Sequence, residues 1–120
     1  PVDEVATREF ESLASQHAQG FFSTMSQRER IAFLAKDLGV SLANREVEKA
    51  AGCRKSVLSE SYQAFILKVG ADMKELYAGE SSESVKVLTL MTLQAMKVCA
   101  RQWARSSANL EAFLSLAEAP

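Results

Sequence analysis

Histidine occurs once in this chain, at His17, and cysteine twice, at Cys53 and Cys99. The two cysteines are far apart and no His or Cys stands at ligand spacing from either, so no metal centre is expected. His17 has no partner carboxylate or cysteine at a useful spacing, which makes it a partly buried helix residue and not a general base. A Gly-rich phosphate loop, a nucleophile motif and a paired-carboxylate site are all lacking. An enzyme is therefore the least expected class, and no cofactor is implied. Two thiols without ligand spacing read as reduced, buried and unpaired, which favours an intracellular compartment. No stretch alternates β-branched residues as a strand would. No apolar run has the length of a membrane span, so no membrane partner is expected. A secretory leader pattern is lacking too. The chain opens at Pro1 and not at a methionine, as a processed or trimmed chain would.

Charge is also missing as a dominant feature. The net charge is −1, with 14 basic and 15 acidic side chains among 120 residues. The first 80 residues hold 12 acids and 10 bases, the last 40 three acids and four bases. Neither part has the basic excess that drives nonspecific coating of nucleic acid, so contact with DNA would have to come from a few local residues. What is present in quantity is apolar: 48% hydrophobic against 24% charged, ordinary for one globular domain.

The chain is organised around Ser26 to Gly70. Ser26 and Glu29 form a capping box. Ile31, Leu34, Ala35 and Leu38 follow on one helical face, and Gly39 suits a left-handed stop. A short helix is expected over about Asn44 to Ala51, with Val47, Ala50 and Ala51 inward and Gly52 as its end. A longer helix then buries Val57, Leu58, Ser61, Tyr62, Phe65, Ile66 and Val69, and Gly70 interrupts or ends it. The last two helices, over about 44–69, read as a helix-turn-helix: Gly52 permits the turn, and Val47, Ala51, Cys53 and Leu58 pack the pair. Glu48 departs from that pattern, standing where a small residue usually allows close approach. An ordinary helical corner reads the same way.

The segments IAFLAKDLGV, REVEKAAG and CRKSVLSESYQAFI resemble the cyclin-box fold in its transcription factor IIB-like branch. That pattern has an apolar, alanine-rich helix ending near Gly-Val, a short helix, and a helix start bearing a lysine. SLANREVEKAAGCRKSVLSESYQAF is somewhat more similar to the amino-terminal domain of origin recognition complex subunit 6, which shares the fold. The resemblance covers about a third to a half of the chain and carries no catalytic residue. It implies a module of a DNA-associated assembly, in replication origin recognition or transcription initiation, and a nuclear location. Lys55 is the residue it carries over, as the lysine at the helix start.

Outside that unit, Asp3 and Glu4 suit the start of a first helix. Phe10, Leu13, Ala14, His17 and Phe21 share its face, and Gly20 is expected to end it. Phe21, Phe22 and Met25 then form an apolar connector. After Gly70, Met73, Leu76 and Tyr77 share a short helix stopped by Gly79. GESSES is the clearest loop, with Ser82 or Ser84 capping the next helix. Val85 to Arg105 is the longest and most apolar helix. Val85, Leu88, Met91, Thr92, Ala95, Val98, Cys99 and Gln102 line one side, and Val87, Leu90, Leu93, Met96 and Trp103 lie elsewhere around it. A helix apolar nearly all round belongs at the centre of a bundle or at an interface. Lys97, Arg101 and Arg105 step along it by four, either as a solvated face near the C-terminus or as a stripe for an acidic partner. Ser106 and Ser107 break it. Leu110, Phe113, Leu114 and Leu116 then make an apolar tail that packs back or docks elsewhere.

The expectation is one all-α domain over 1–120, a compact bundle of six or seven helices, cyclin-box-like or containing a helix-turn-helix. Leu34, Val47, Leu58, Tyr62, Phe65, Leu88 and Ala95 should be largely buried. Three functions compete. The first is a non-enzymatic, cyclin-box-like module that binds DNA or a protein assembly. The second is a small helix-turn-helix regulator, a homodimer through the Val85–Arg105 helix. The third is a protein-binding adaptor or effector. The DNA-contacting residues under the first two are Arg45, Lys49, Arg54 and Lys55. A protein partner would meet Lys97, Arg101, Arg105, Leu110, Phe113 and Leu114.

Overall fold

Two long helices, packed side by side, set the shape of the molecule. In the computed structural model, which describes residues 2–107 and 110–118, the order is α1 Val2–Thr24, α2 Gln27–Leu38, α3 Arg45–Ala51, α4 Lys55–Leu76, α5 Ser82–Arg105 and α6 Glu111–Glu118. The described residues contain no strand. The radius of gyration is 15.6 Å and the long axis 47 Å. A spherical domain of this length would have a radius of about 13.6 Å, so the fold is drawn out along its long helices.

Local chemistry explains the helix ends. The Ser26 N–H donates to Glu29 Oε1 at 2.8 Å, and the Glu29 N–H donates back to Ser26 Oγ at 3.2 Å. This capping box satisfies two donors that a helix start leaves open. Gly39 and Gly52 both have φ +69° and end α2 and α3 in the left-handed conformation, where a Cβ is costly. Asn44 caps α3 by accepting from the Glu46 N–H at 2.8 Å. For α5 the cap is Ser81, which accepts from the Ser84 N–H at 3.2 Å, so neither Ser82 nor Ser84 takes that place.

Two glycines do not act as stops. Gly20 lies inside α1 and Gly70 inside α4. Neither has a positive φ, and each is followed by further apolar residues on the same helical face. Phe22 and Met25 are buried beyond the first, Met73 beyond the second. Packing there outweighs the roughly 1 kcal/mol intrinsic cost of a helical glycine. The segment after Gly70 is thus the last part of α4, which ends at Leu76, before Gly79. The described residues form six helices, the lower of the two expected numbers.

α5 is the hub: it packs against α1, α2, α4 and α6. The α1–α5 pair is the most extensive, and the two helices run parallel. Phe10 and Leu13 near the start of α1 share a recess with Val85 and Leu88 near the start of α5. Phe22 near the end of α1 meets Trp103 near the end of α5, with ring centroids 6.0 Å apart. Because α1 and α5 keep company over so many turns, the buried line on α5 is Val85, Leu88, Thr92, Met96, Ala100 and Ala104. This differs from the expected face in its second half. Met96, Ala100 and Ala104 replace Val98 and Gln102, which are exposed. Four-residue steps follow a partner lying along the helix and also meet α2 and α6 on its flank.

The core runs from Ala14, Ala18 and Phe22 through Ile31, Leu34, Val47, Leu58, Phe65 and Met73 to Leu88 and Met96. Of the seven positions expected inside, Leu34, Val47, Leu58, Phe65 and Leu88 are buried. Tyr62 and Ala95 are half-buried. Tyr62 sits at the core edge, stacked on Phe33 with Lys36 over its ring. His17 is half-buried as expected. Its Nε2 shares a hydrogen bond with the Tyr77 hydroxyl, tying α1 to the end of α4. Arg30 lies over the Phe22 ring at 4.3 Å and near Trp103 at 5.4 Å, and its Nη2 donates to the Phe22 carbonyl at 3.0 Å.

Candidate functional site

The corner between α3 and α4 is built on Gly52. Its N–H donates to the Glu48 carbonyl at 2.8 Å, which closes α3, and its left-handed φ turns the chain into Cys53 and Arg54. Arg54 is the N-cap of α4, but its side chain makes no capping hydrogen bond, and the first turn of α4 holds no acid. Neither a cap nor an acid of its own first turn offsets the positive end of that helix. Arg45, Lys49 and Arg54 line one shallow recess of about 390 Å³ together with Glu48, Gly52 and Cys53. Arg45, Lys49, Arg54 and Lys55 are all exposed. Lys55, the first residue of α4, stands beside the recess without lining it. Lys49 makes a loose ion pair with Glu46 at 3.7 Å, its side chain 75% exposed. Such a pair contributes little and exchanges readily for another anion.

The fold therefore brings three of the four expected DNA-contacting residues into one recess. It also brings Glu48 there, a carboxylate that a phosphate would have to avoid. α3 packs on α2 and α6, and α4 packs on α2 and α5. α2 is thus the shared support for both helices of the corner.

The second expected surface divides. Lys97 is half-buried, while Arg101 and Arg105 are exposed. Arg101 is engaged within the molecule: its Nε donates to Asp37 Oδ2 at 2.8 Å. That hydrogen bond, aided by the charge of Asp37, holds the guanidinium pKa above its ordinary value. The stripe is thus not a row of three free cations. Of the two alternatives for the tail, the structure takes the packed-back one. Leu110 and Phe113 are buried and Leu114 is half-buried, with α6 set against α3 and α5. As partner-binding residues Leu110 and Phe113 are corrected to core residues, because both side chains are enclosed by the bundle. The side chain of Leu116 lies outside the described residues.

Sequence reading offered α5 as a centre or an interface without choosing which of its faces stays bare. Val87, Leu90 and Val98 are 43%, 54% and 57% exposed, and Leu67 on α4 is 72% exposed. A groove of about 700 Å³ between α4 and α5 borders Leu90, with Gly70, Lys74, Lys86 and Thr89 in its walls. The signal was available, since Val87 and Leu90 fall opposite Leu88 and Thr92, but a helix apolar on several sides does not declare which side stays bare.

Among the described residues no group of His, Cys, Asp and Glu could hold a metal ion, and no helix is long and apolar enough to cross a membrane. Comparison with protein families, with characterised proteins and with solved structures finds no match.

Proposed function

We infer that this protein is a non-enzymatic binding module whose α3–α4 corner contacts nucleic-acid phosphates within a DNA-associated assembly, as the cyclin-box resemblance implies for origin recognition or transcription initiation. The observation that carries this reading is the recess lined by Arg45, Lys49 and Arg54 beside an uncapped, acid-free helix start. A phosphate there would meet backbone N–H groups and up to three cations. With a net charge of −1, the contact is local and salt-sensitive. Binding of a short fluorescent DNA duplex, followed by anisotropy over a range of salt, tests it. Arg54→Glu with Lys55→Glu should lower the slope of log affinity against log salt by roughly two and leave the fold intact, since both side chains are exposed. An unchanged slope, or no binding by the parent at moderate salt, would remove DNA from the reading.

A protein-binding adaptor is the second reading. It is favoured by the exposed Val87, Leu90 and Val98, which lie along one side of α5.

A further inference from the structure

The exposed line on α5 runs Glu83, Val87, Leu90, Gln94, Val98, Arg101 and Arg105. All seven side chains are exposed, and Val87, Leu90 and Val98 are the large apolar ones. The steps between them are four, three, four, four, three and four residues. They span six turns at about 3.7 residues each, close to the repeat of a straight α-helix. The line therefore runs almost along the axis and does not wind away from a partner helix.

The spacing of this line is symmetric about Gln94. Turned end to end against a copy of itself, it sets Glu83 opposite Arg105, Val87 opposite the aliphatic stem of Arg101, Leu90 opposite Val98, and Gln94 opposite Gln94. The flanking half-buried Met91 falls opposite half-buried Lys97. A parallel pairing would instead set Glu83 against Glu83 and Arg105 against Arg105. Glu83 stands in the first turn of α5 and Arg105 in its last, so the antiparallel arrangement meets opposite charges at both ends, with Leu90 against Val98 on either side of a central Gln94 pair and Val87 against the stem of Arg101, whose guanidinium is held by Asp37. Two-fold interfaces are self-complementary in this way, and end charges of this kind set the orientation of paired helices.

We propose that the protein forms an antiparallel homodimer through the outer face of α5, centred on Gln94. One helix face per protomer falls at the small end of protein interfaces, about 1,200 Å² in total or less, so the dimer is in concentration-dependent exchange with the 13.1 kDa monomer. The α3–α4 corner plays no part in it.

Sedimentation velocity over a range from about one to several hundred micromolar, in the regime of weak interfaces, tests the dimer under reducing conditions. The parent should shift from monomer to dimer across that range. Leu90→Glu and Val98→Glu, both at exposed positions, should keep the helical circular dichroism and thermal midpoint while weakening association at least tenfold. Glu83→Arg and Arg105→Glu should each weaken it, and the double exchange Glu83→Arg with Arg105→Glu should restore it. Arg54→Glu with Lys55→Glu should leave association unchanged. A parent that stays monomeric, or apolar-site variants that dimerise like the parent, would overturn the proposal and assign the stripe to a different protein. A double exchange weaker than both single variants would overturn the antiparallel register.

Discussion

Arg101 Nε reaches Asp37 Oδ2 at 2.8 Å and joins α5 to α2. Among the described residues it is the one ion pair between helices; the other two each lie within a single helix. Its two ends sit in different surroundings: the Asp37 side chain is 7% exposed and that of Arg101 45%. That difference makes the cost of removal asymmetric. Arg101→Gln leaves a nearly buried carboxylate without its cation, which should cost about 1–3 kcal/mol. Asp37→Asn leaves a guanidinium that turns into water, and should cost about 1 kcal/mol or less. Urea unfolding of the two variants checks the order. Equal losses would mean that water reaches Asp37 more freely than its burial indicates.

The glycines should answer substitution with opposite signs. Gly20 and Gly70 are inside helices with no atom within 4 Å of an added Cβ. Ala at either should stabilise by about 0.5–1 kcal/mol through helix propensity and a less free unfolded chain. Gly39 and Gly52 also have open space, but their φ of +69° penalises any L side chain by about 1–2 kcal/mol. Gly52→Ala should therefore lower the thermal midpoint where Gly70→Ala raises it. A matching sign at the two positions would contradict the helix boundaries.

These four positions also show how far the sequence could be read. Gly39 and Gly52 were legible as stops because each closes an apolar helical face and is followed by a capping residue or a cation-rich start. Gly20 and Gly70 looked alike in isolation. What separates them is tertiary: Phe22, Met25 and Met73 have somewhere to be buried, and that place is supplied by helices distant in sequence. The central role of α5 was legible from its apolar content. Its bare side was not, because the choice of buried face was made by α1 running parallel to it. At the corner, residue types and helix ends could be read directly, so the placing of Arg45, Lys49, Arg54 and Lys55 around one turn was legible. The capture of Arg101 by Asp37 pairs residues on separate helices, which no local spacing reveals.

Arg30 tests how much a cation over aromatic rings supports this core. It lies 4.3 Å from the Phe22 ring centroid and 5.4 Å from that of Trp103, so its planar head covers the end of the α1–α5 seam. Among the described residues its Nε is buried without a hydrogen-bond partner, while Nη2 donates to the Phe22 carbonyl. Arg30→Ala should cost about 1–2 kcal/mol from lost packing and ring contact and alter the near-ultraviolet circular dichroism of Trp103. Arg30→Met keeps the stem and removes the unpaired Nε, and should recover at least half of that loss. A methionine variant no better than alanine would show that the charge, not the packing, holds the seam.

The thiols offer a reading of α5 from within. Cys53 and Cys99 are unpaired, and both are half-buried, less enclosed than buried core thiols would be. Desolvation pushes the Cys99 thiol above its ordinary value of 9.0, although a backbone hydrogen bond pulls the other way. A raised pKa means that the folded state prefers the neutral thiol. That preference is present in full below the unfolded value near 9.0 and is lost as pH rises through the higher folded value. Native Cys99 should thus be alkylated by iodoacetamide more slowly at mildly alkaline pH than the same residue in concentrated guanidinium, because the thiolate is the nucleophile. Peptide mapping of a time course gives each rate. Denatured, unreduced protein should titrate as two free thiols per chain, and a count near zero would overturn the unpaired assignment. If dimerisation through the outer face of α5 damps opening of that helix, the native Cys99 rate should also fall as protein concentration rises. Leu90→Glu should abolish the concentration dependence and leave the dilute rate unchanged, since Leu90 is 54% exposed and Cys99 belongs to the half-buried side of the same helix.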